Sequence, residues 1–378
     1  MNAYQTVHTP EQLAELCRSL ETEQKIAVDL EADSMHHFTE KVCLIQIGCS
    51  RGVFIVDPLQ TDRMDLLGPV LADPSVEKIM HGSDFDIRSL DRDFGIRVSN
   101  LFDTEIACKL LGIRERGLAA LAKEYCDADL DKKFQKTDWT KRPLTDEMLA
   151  YCADDVAYLF RISDILKRKL SEKGREEWVR QECEKQCRVR FEPNNDSPLF
   201  LKFKGAGKMD SRTLTVLEHL LQMRMKIAEK KDLPLFKVMG TGSLSRMAWK
   251  KPVTKEMLKR SGAFSDKQMS MYADACIRAV KDALELPGPQ LFTYPKNRGT
   301  RLTDIEQKRI KALKKMRTQK SESTDIEEGF LLNNALIAAL AKANPAGRQD
   351  VFEMENISPW QAELLADDIL RALEKVGG

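Results

Sequence analysis

The stretch Ile26-Ala27-Val28-Asp29-Leu30-Glu31-Ala32-Asp33 is an apolar run that ends in acid. In a strand, successive side chains point to opposite faces, so Ile26, Val28 and Leu30 share one side and Ala27, Asp29 and Glu31 the other. Two carboxylates side by side on a half-buried surface raise each other's pKa unless something cationic sits between them. A divalent metal is the natural candidate. The same pattern also fits a solvated strand edge, so a metal site needs further ligands from elsewhere in the chain.

Around this strand the pattern predicts a helix at 10–20 and strands at 25–31, 42–49 and 53–57. Short connections and alternating apolar residues make these strands an antiparallel meander. From residue 62 strands and helices alternate: helix 62–72, strand 77–80, helix 84–94, strand 100–102 and a helix from 104. That alternation adds parallel strands to the sheet and gives a mixed α/β domain, with further helices at 118–124 and 145–169. The loop 34–40 contains His36 and His37, which either touch substrate or are simply exposed.

Two later segments carry acids that local structure does not explain. In His81-Gly82-Ser83-Asp84-Phe85-Asp86, Ser83 is a natural N-cap and acids in the first helical turn suit the dipole. That accounts for Asp84, whereas Asp86 shares its stripe with Leu90 and Phe94 and points inward. In the helix after Thr145, Met148, Tyr151, Asp155, Tyr158 and Ile162 form an apolar stripe broken by one aspartate. An ionised carboxylate on a packed face is costly unless paired or metal-bound. Asp29, Glu31, Asp86 and Asp155 are hard oxygen ligands, suited to magnesium or manganese. A carboxylate cluster holding two such ions is the arrangement for in-line displacement at a phosphodiester.

The 378 residues suffice for two to three domains, and their overall charge of +1 hides an asymmetry. Residues 1–200 carry 28 Lys+Arg against 37 Asp+Glu, residues 201–300 carry 20 against 9, and residues 301–378 carry 12 against 13. A cationic block filling a domain attracts polyanions, nucleic acid first. Met223-Arg224, Ala248 with Pro252, and Ala273-Asp274 recur 93 residues later as Met316-Arg317, Ala341 with Pro345, and Ala366-Asp367, which predicts two copies of one helical domain. Pro193 to Pro198 and residues 286–300 read as linkers. Nine scattered cysteines fit free thiols in a reducing compartment, and Cys183 and Cys187 lack the partners of a zinc site. No apolar run approaches the ~18 residues of a membrane span, so the expectation is a cytoplasmic protein with no membrane partner.

Val28-Asp29-Leu30-Glu31, His81-Gly82 with Asp86, and Tyr151-x-x-x-Asp155 resemble the three motifs of the DEDD 3'-5' exonuclease superfamily, in the branch with tyrosine in the third motif. Leu44-Ile45-Gln46-Ile47, Leu101-Phe102-Asp103-Thr104 and Trp139-x-x-Arg142-Pro143-Leu144 belong to the same resemblance. The repeats resemble HRDC domains through Leu220 to Arg224, Asp232-Leu233-Pro234 and Leu244-x-x-Met247-Ala248; the second copy departs from them at Asp325-Ile326-Glu327 and is not basic. One exonuclease domain followed by two such repeats resembles the bacterial ribonuclease D family. The resemblance implies a ribonuclease H-like exonuclease domain at 1–192, a linker at 193–208, a basic HRDC domain at 209–286, a linker at 287–300 and a divergent HRDC-like domain at 301–378.

It further implies a monomeric 3'-5' exoribonuclease that uses two Mg2+ or Mn2+ ions, trims tRNA precursors and releases nucleoside 5'-monophosphates. Asp29 is implied to bridge both metals, Glu31 and Asp155 to complete the metal that holds the attacking water, Asp86 to serve the other, and Tyr151 to orient the water. Gln46, His81, Trp139, Arg142 and Arg224 are the expected RNA contacts. For Trp139 and Arg142 a structural role at an Arg-Pro boundary is an equal alternative. Two other functions fit the motifs: a 3'-5' DNA exonuclease, since nothing in the carboxylates sees the 2'-hydroxyl, and a catalytically silent nucleic-acid-binding protein. On the first reading, deleting 201–378 weakens binding to structured RNA while turnover on short oligonucleotides survives.

Overall fold

The computed structural model describes residues 4–193, 197–295 and 302–377. Residues 194–196 of the first linker and 296–300 of the second lie outside the described residues. The chain divides into two compact units, one of residues 1–32, 42–191 and 299–378, the other of residues 33–41 and 192–298. This differs from the expected linear partition, because the second repeat belongs to the same unit as the nuclease sheet.

The first unit begins with β1 (Tyr4–Val7), α1 (Pro10–Leu20), β2 (Lys25–Ala32), β3 (Val42–Cys49) and β4 (Gly52–Val56). It continues with α2 (Leu67–Ala72), β5 (Glu77–Met80), α3 (Asp84–Phe94), β6 (Leu101–Asp103), α4 (Thr104–Leu111), α5 (Leu118–Cys126), α6 (Asp146–Ala157), α7 (Leu159–Glu172) and α8 (Glu176–Cys187). The six strands form one sheet in the order β1-β4-β3-β2-β5-β6. β2, β3 and β4 pair antiparallel, as the short connections predict, and β5 and β6 add in parallel beside β2. Every residue of β3 is buried, as befits a central strand covered on both faces.

Four features differ from the sequence reading. β1, a four-residue edge strand parallel to β4, escaped it because the strand is short and its pairing is long-range. The expected helix 145–169 is two helices that break at Tyr158, and α8 is an additional helix. Ser83 makes no side-chain cap bond on α3; its hydroxyl donates to Asp103 instead, at 2.7 Å.

The second unit contains α9 (Ser211–Lys231), α10 (Leu235–Val238), α11 (Thr241–Lys250), α12 (Lys255–Ser261) and α13 (Asp266–Glu285). His37 Nδ1 lies 2.6 Å from an Asp232 carboxylate oxygen, and the Phe38 N–H donates to the other at 3.0 Å. The loop histidine thus has a structural partner in its own unit. In the first unit the repeat returns as α14 (Asp304–Thr324), α15 (Glu328–Leu331), α16 (Asn334–Ala343), α17 (Arg348–Phe352) and α18 (Pro359–Gly377), each starting 93 residues after its counterpart. Even the left-handed helix ends recur, at Asp232 and Asp325 and at Lys251 and Asn344.

The second repeat is fused to the nuclease. Ile326, Leu331 and Trp360 belong to the apolar core that underlies the sheet. The Trp360 ring stacks on Trp178 at 5.1 Å, and its Nε1 donates to Glu182 at 2.7 Å. Arg116 and Glu327 form an ion pair at 2.6 Å. Gly112, at φ 79°, lies so close to Asp325 that a Cβ there would meet its Cβ and carbonyl oxygen at 2.6 Å. Only glycine fits both that conformation and that approach.

Candidate metal centre

Strand alternation on β2 sends Asp29 and Glu31 to one face, opposite Gln46 and Leu44 of β3. α6 begins at Thr145, whose hydroxyl oxygen accepts from the Met148 N–H at 3.3 Å. That start places Tyr151 and Asp155 one turn apart on the same stripe. Carboxylate oxygens of Asp29, Glu31 and Asp155 all lie within 4.8 Å of one another, a spacing that fits a shared cation. Asp86, 7% exposed in the first turn of α3, stands outside that trio yet feels the Asp29 charge.

The electrostatics describe a site in need of a cation. Burial, followed by the charges of Asp29, Asp155 and Asp86, pushes the Glu31 pKa up to about 9. Burial and Asp29 push Asp155 up to about 8, partly offset by the Tyr151 hydroxyl. Asp29 rises to about 6 through burial, and Asp86 rises well above the usual carboxylate range through burial and then Asp29. Among the described residues, no lysine or arginine figures among the causes of the shift at any of the four. Neighbouring acids left without a positive partner are the donor set of a hard divalent ion.

The backing of the site is aromatic. Tyr151 stacks on Trp139 at 6.1 Å and meets the edge of Phe134 at 5.7 Å. Burial and the charges of Asp155, Glu31 and Asp29 push its phenol pKa up, so the hydroxyl stays protonated. Trp139 is 1% exposed, and its side chain faces Glu31, whose pKa it lowers against the larger effect of burial.

Of the five expected RNA contacts, three occupy structural positions. Gln46 is fully buried on β3, and Trp139 is buried behind Tyr151, so neither faces solvent. Arg142 is committed to Asp57 through Nε at 2.7 Å and Nη2 at 2.9 Å, and to the carbonyls of Trp139, Lys141 and Cys43. His81 is partly buried, with Nδ1 2.9 Å from Thr104 Oγ1. Arg224 lies in the second unit, where Nη1 donates to the Met239 carbonyl at 3.2 Å.

Sequence reasoning missed the organising role of Asp103. Its carboxylate accepts from the N–H groups of Gly82 (3.0 Å), Ser83 (2.8 Å), Glu105 (2.8 Å) and Ile106 (3.2 Å), besides the Ser83 hydroxyl. Gly82, at φ 67°, makes the turn that lets two successive N–H groups point at one acid. Asp103 therefore ties the turn before α3 to the start of α4 and fixes where Asp86 emerges. The available signal was an aspartate between a strand and a helix, the N-cap pattern.

A cavity of about 230 Å3 borders Tyr151 and Asp155 and is lined by Gly117, Leu118, Leu130, Lys132 and Gln135. It adjoins the carboxylates on the side of α5.

Residues 4–171 match the 3'-5' exonuclease family, and residues 213–280 and 306–373 match the HRDC domain. Ribonuclease D of Pseudomonas paraeruginosa is 26% identical over 364 residues, covering 96% of this chain and 95% of that protein. The crystal structure of Escherichia coli RNase D superposes with a TM-score of 0.74 at 25% identity, over 99% of both chains. The catalytic core of RRP6 from Trypanosoma brucei gives a TM-score of 0.64 at 31% identity, over 75% of this chain and 80% of that one. The chain spans about a quarter of the length of the mammalian Exosome complex component 10 proteins it also matches.

Proposed function

From the premise that this chain belongs to the 3'-5' exonuclease family, with the ribonuclease D order of one exonuclease domain and two HRDC domains, we propose that it is a divalent-metal-dependent 3'-5' exoribonuclease. The observation that carries the reading is the convergence of Asp29, Glu31 and Asp155 within 4.8 Å, with no cationic side chain among the described residues offsetting their charge. Two divalent ions at such a site supply the charge that activates a water and stabilises the leaving oxygen. Asp29, Glu31 and Asp155 would hold one such ion and Asp86, from α3, would serve the other. Tyr151, protonated and backed by Trp139, orients the water through its hydroxyl. The cavity of about 230 Å3 beside Tyr151 receives the 3'-terminal nucleotide, with Leu118 and Leu130 against its base.

The products on this reading are nucleoside 5'-monophosphates, and the substrates are structured RNAs such as tRNA precursors. The E. coli neighbour, described as an exoribonuclease involved in structured RNA processing, supports that choice. The excess of 20 basic over 9 acidic residues at 201–300 supports it as well, because an acidic nuclease alone binds a polyanion poorly. A DNA exonuclease would use the same carboxylates. The deciding experiment follows matched 5'-labelled RNA and DNA single strands with Mg2+, Mn2+ or EDTA. The expected result is metal-dependent shortening of RNA from its 3' end, and a loss of at least about 10³-fold in Asp29→Asn, the scale expected when bound-ion charge stabilisation is lost. Preference for DNA, or an Asp29→Asn chain that trims as fast as the parent, would overturn it.

A further inference from the structure

The two helical repeats are built to the same plan, so each serves as a control for the other. In the second, Arg317 Nη1 donates to the Leu332 carbonyl at 2.8 Å, while Nε and Nη2 hold the Glu328 carboxylate at 3.1 and 2.9 Å. Thr318 donates to the other oxygen of that carboxylate at 2.7 Å. Asn333 caps the neighbouring helix α16 by accepting from the Leu336 N–H at 2.8 Å. The arginine is satisfied and the helix end is closed.

In the first repeat the counterpart Arg224 keeps only the equivalent carbonyl bond, to Met239. Leu235 stands where the second repeat has Glu328, Met225 where it has Thr318, and Gly240 where it has Asn333. As a consequence, Arg224 Nε is buried with no hydrogen-bond partner among the described residues, and α11, ten residues long, starts without a side-chain cap. In this same place a cavity of about 500 Å3 opens, lined by Arg224, Thr241, Gly242 and Ser245 and flanked by Lys202 and Lys204. A missing carboxylate, an orphaned guanidinium donor and free N–H groups at a helix start together make a site for an external anion.

We infer that the first HRDC repeat binds one phosphate group of an RNA strand at Arg224 and the start of α11, in the place that the Glu328 carboxylate fills in the second repeat. Arg224 offers a charge-assisted donor, the helix start offers backbone N–H groups, and Phe203 gives the adjoining nucleoside an apolar wall. The inference rests on RNA being the substrate, and it explains why only one repeat is basic. The second repeat carries its own anion in Glu328 and packs on the nuclease.

The test restores the second repeat's solution in the first. Leu235 is 37% exposed, so Leu235→Glu supplies a carboxylate to Arg224 without opening the core, and Leu235→Gln is the uncharged control. Binding of the full chain to a fluorescent hairpin RNA with a 3' single-stranded tail is measured in EDTA across a salt series. Turnover is thereby absent, and a failed metal site leaves this readout intact. Melting curves confirm that both variants are folded. The expected result is at least about tenfold weaker binding for Leu235→Glu at low salt, with a salt slope lower by about one and Leu235→Gln within about twofold of the parent. Inorganic phosphate should compete with RNA on the parent and not on Leu235→Glu. An unchanged affinity and slope in Leu235→Glu would overturn the proposal, as would an equal loss in Leu235→Gln. Phosphate competition seen equally in both chains would also overturn it, since the anion would then bind elsewhere.

Discussion

Glu31 shows what a metal site costs a protein before its metal arrives. Its folded pKa of about 9 lies above its ordinary value, so the folded metal-free chain binds more protons than the unfolded one. Stability contributed by such a group is complete at low pH and falls as pH rises from about 4.5 to about 9. The metal-free chain should therefore melt at progressively lower temperature across that window, and Asp29→Asn should flatten the fall; a melting temperature that rises with pH would refute the account. Saturating Mg2+ or Mn2+ should reverse the trend and release protons. Asp103 predicts a different effect. Asp103→Ala should raise the metal concentration needed for half-maximal activity by about 10- to 100-fold, as second-layer groups do, and activity should recover in part at high metal. A metal titration checks it, and an unchanged midpoint would make Asp103 a helix cap alone.

At the scale of elements, β2 and α6 bring Asp29, Glu31 and Asp155 together while their neighbours fix the geometry. Tyr151 owes its position to the Trp139 and Phe134 rings, so Tyr151→Phe keeps the packing and removes only the hydroxyl. It should lower kcat by about 10²-fold with the melting temperature unchanged, which steady-state kinetics beside a melt would test. The acids of β2, α3 and α6 were legible because each interrupts an apolar periodicity, and an interruption that costs energy calls for a reason. The burial of Gln46 and Trp139 was not legible. Their strand and loop signals are the same whether the outer face meets RNA or the rest of the sheet, and only packing decides. Arg142 was ambiguous for the same reason, since its partner Asp57 lies 85 residues away.

For the whole molecule, the second repeat changes what truncation means. Turnover was expected to survive deletion of 201–378, but Ile326, Leu331 and Trp360 complete the core under the nuclease sheet. Their helix partner α8 also reaches the site, as the Asp103 N–H donates to the Cys183 sulfur at 3.3 Å. Deleting 302–378 should therefore lower nuclease stability and activity even on short oligonucleotides. Trp360→Ala, removing a ring 1% exposed, should cost about 3–5 kcal/mol, read by chemical unfolding of the full chain. A truncated chain that melts and trims like the parent would refute this. No helix among the described residues is long and apolar enough to cross a membrane.

The sequence by itself determined five of the six described strands and much of the helix pattern, the four inward acids, the 93-residue repeat and the basic middle block. All of these are written in periodicity, spacing and charge along the chain. The tertiary structure alone decided which repeat is fused to the nuclease, where Asp103 acts, and that Arg224 Nε is left without a hydrogen bond while the Arg317 guanidinium is held by Glu328. Those outcomes depend on groups far apart in sequence that meet only after folding, and burial, not residue type, sets whether a charge has a partner.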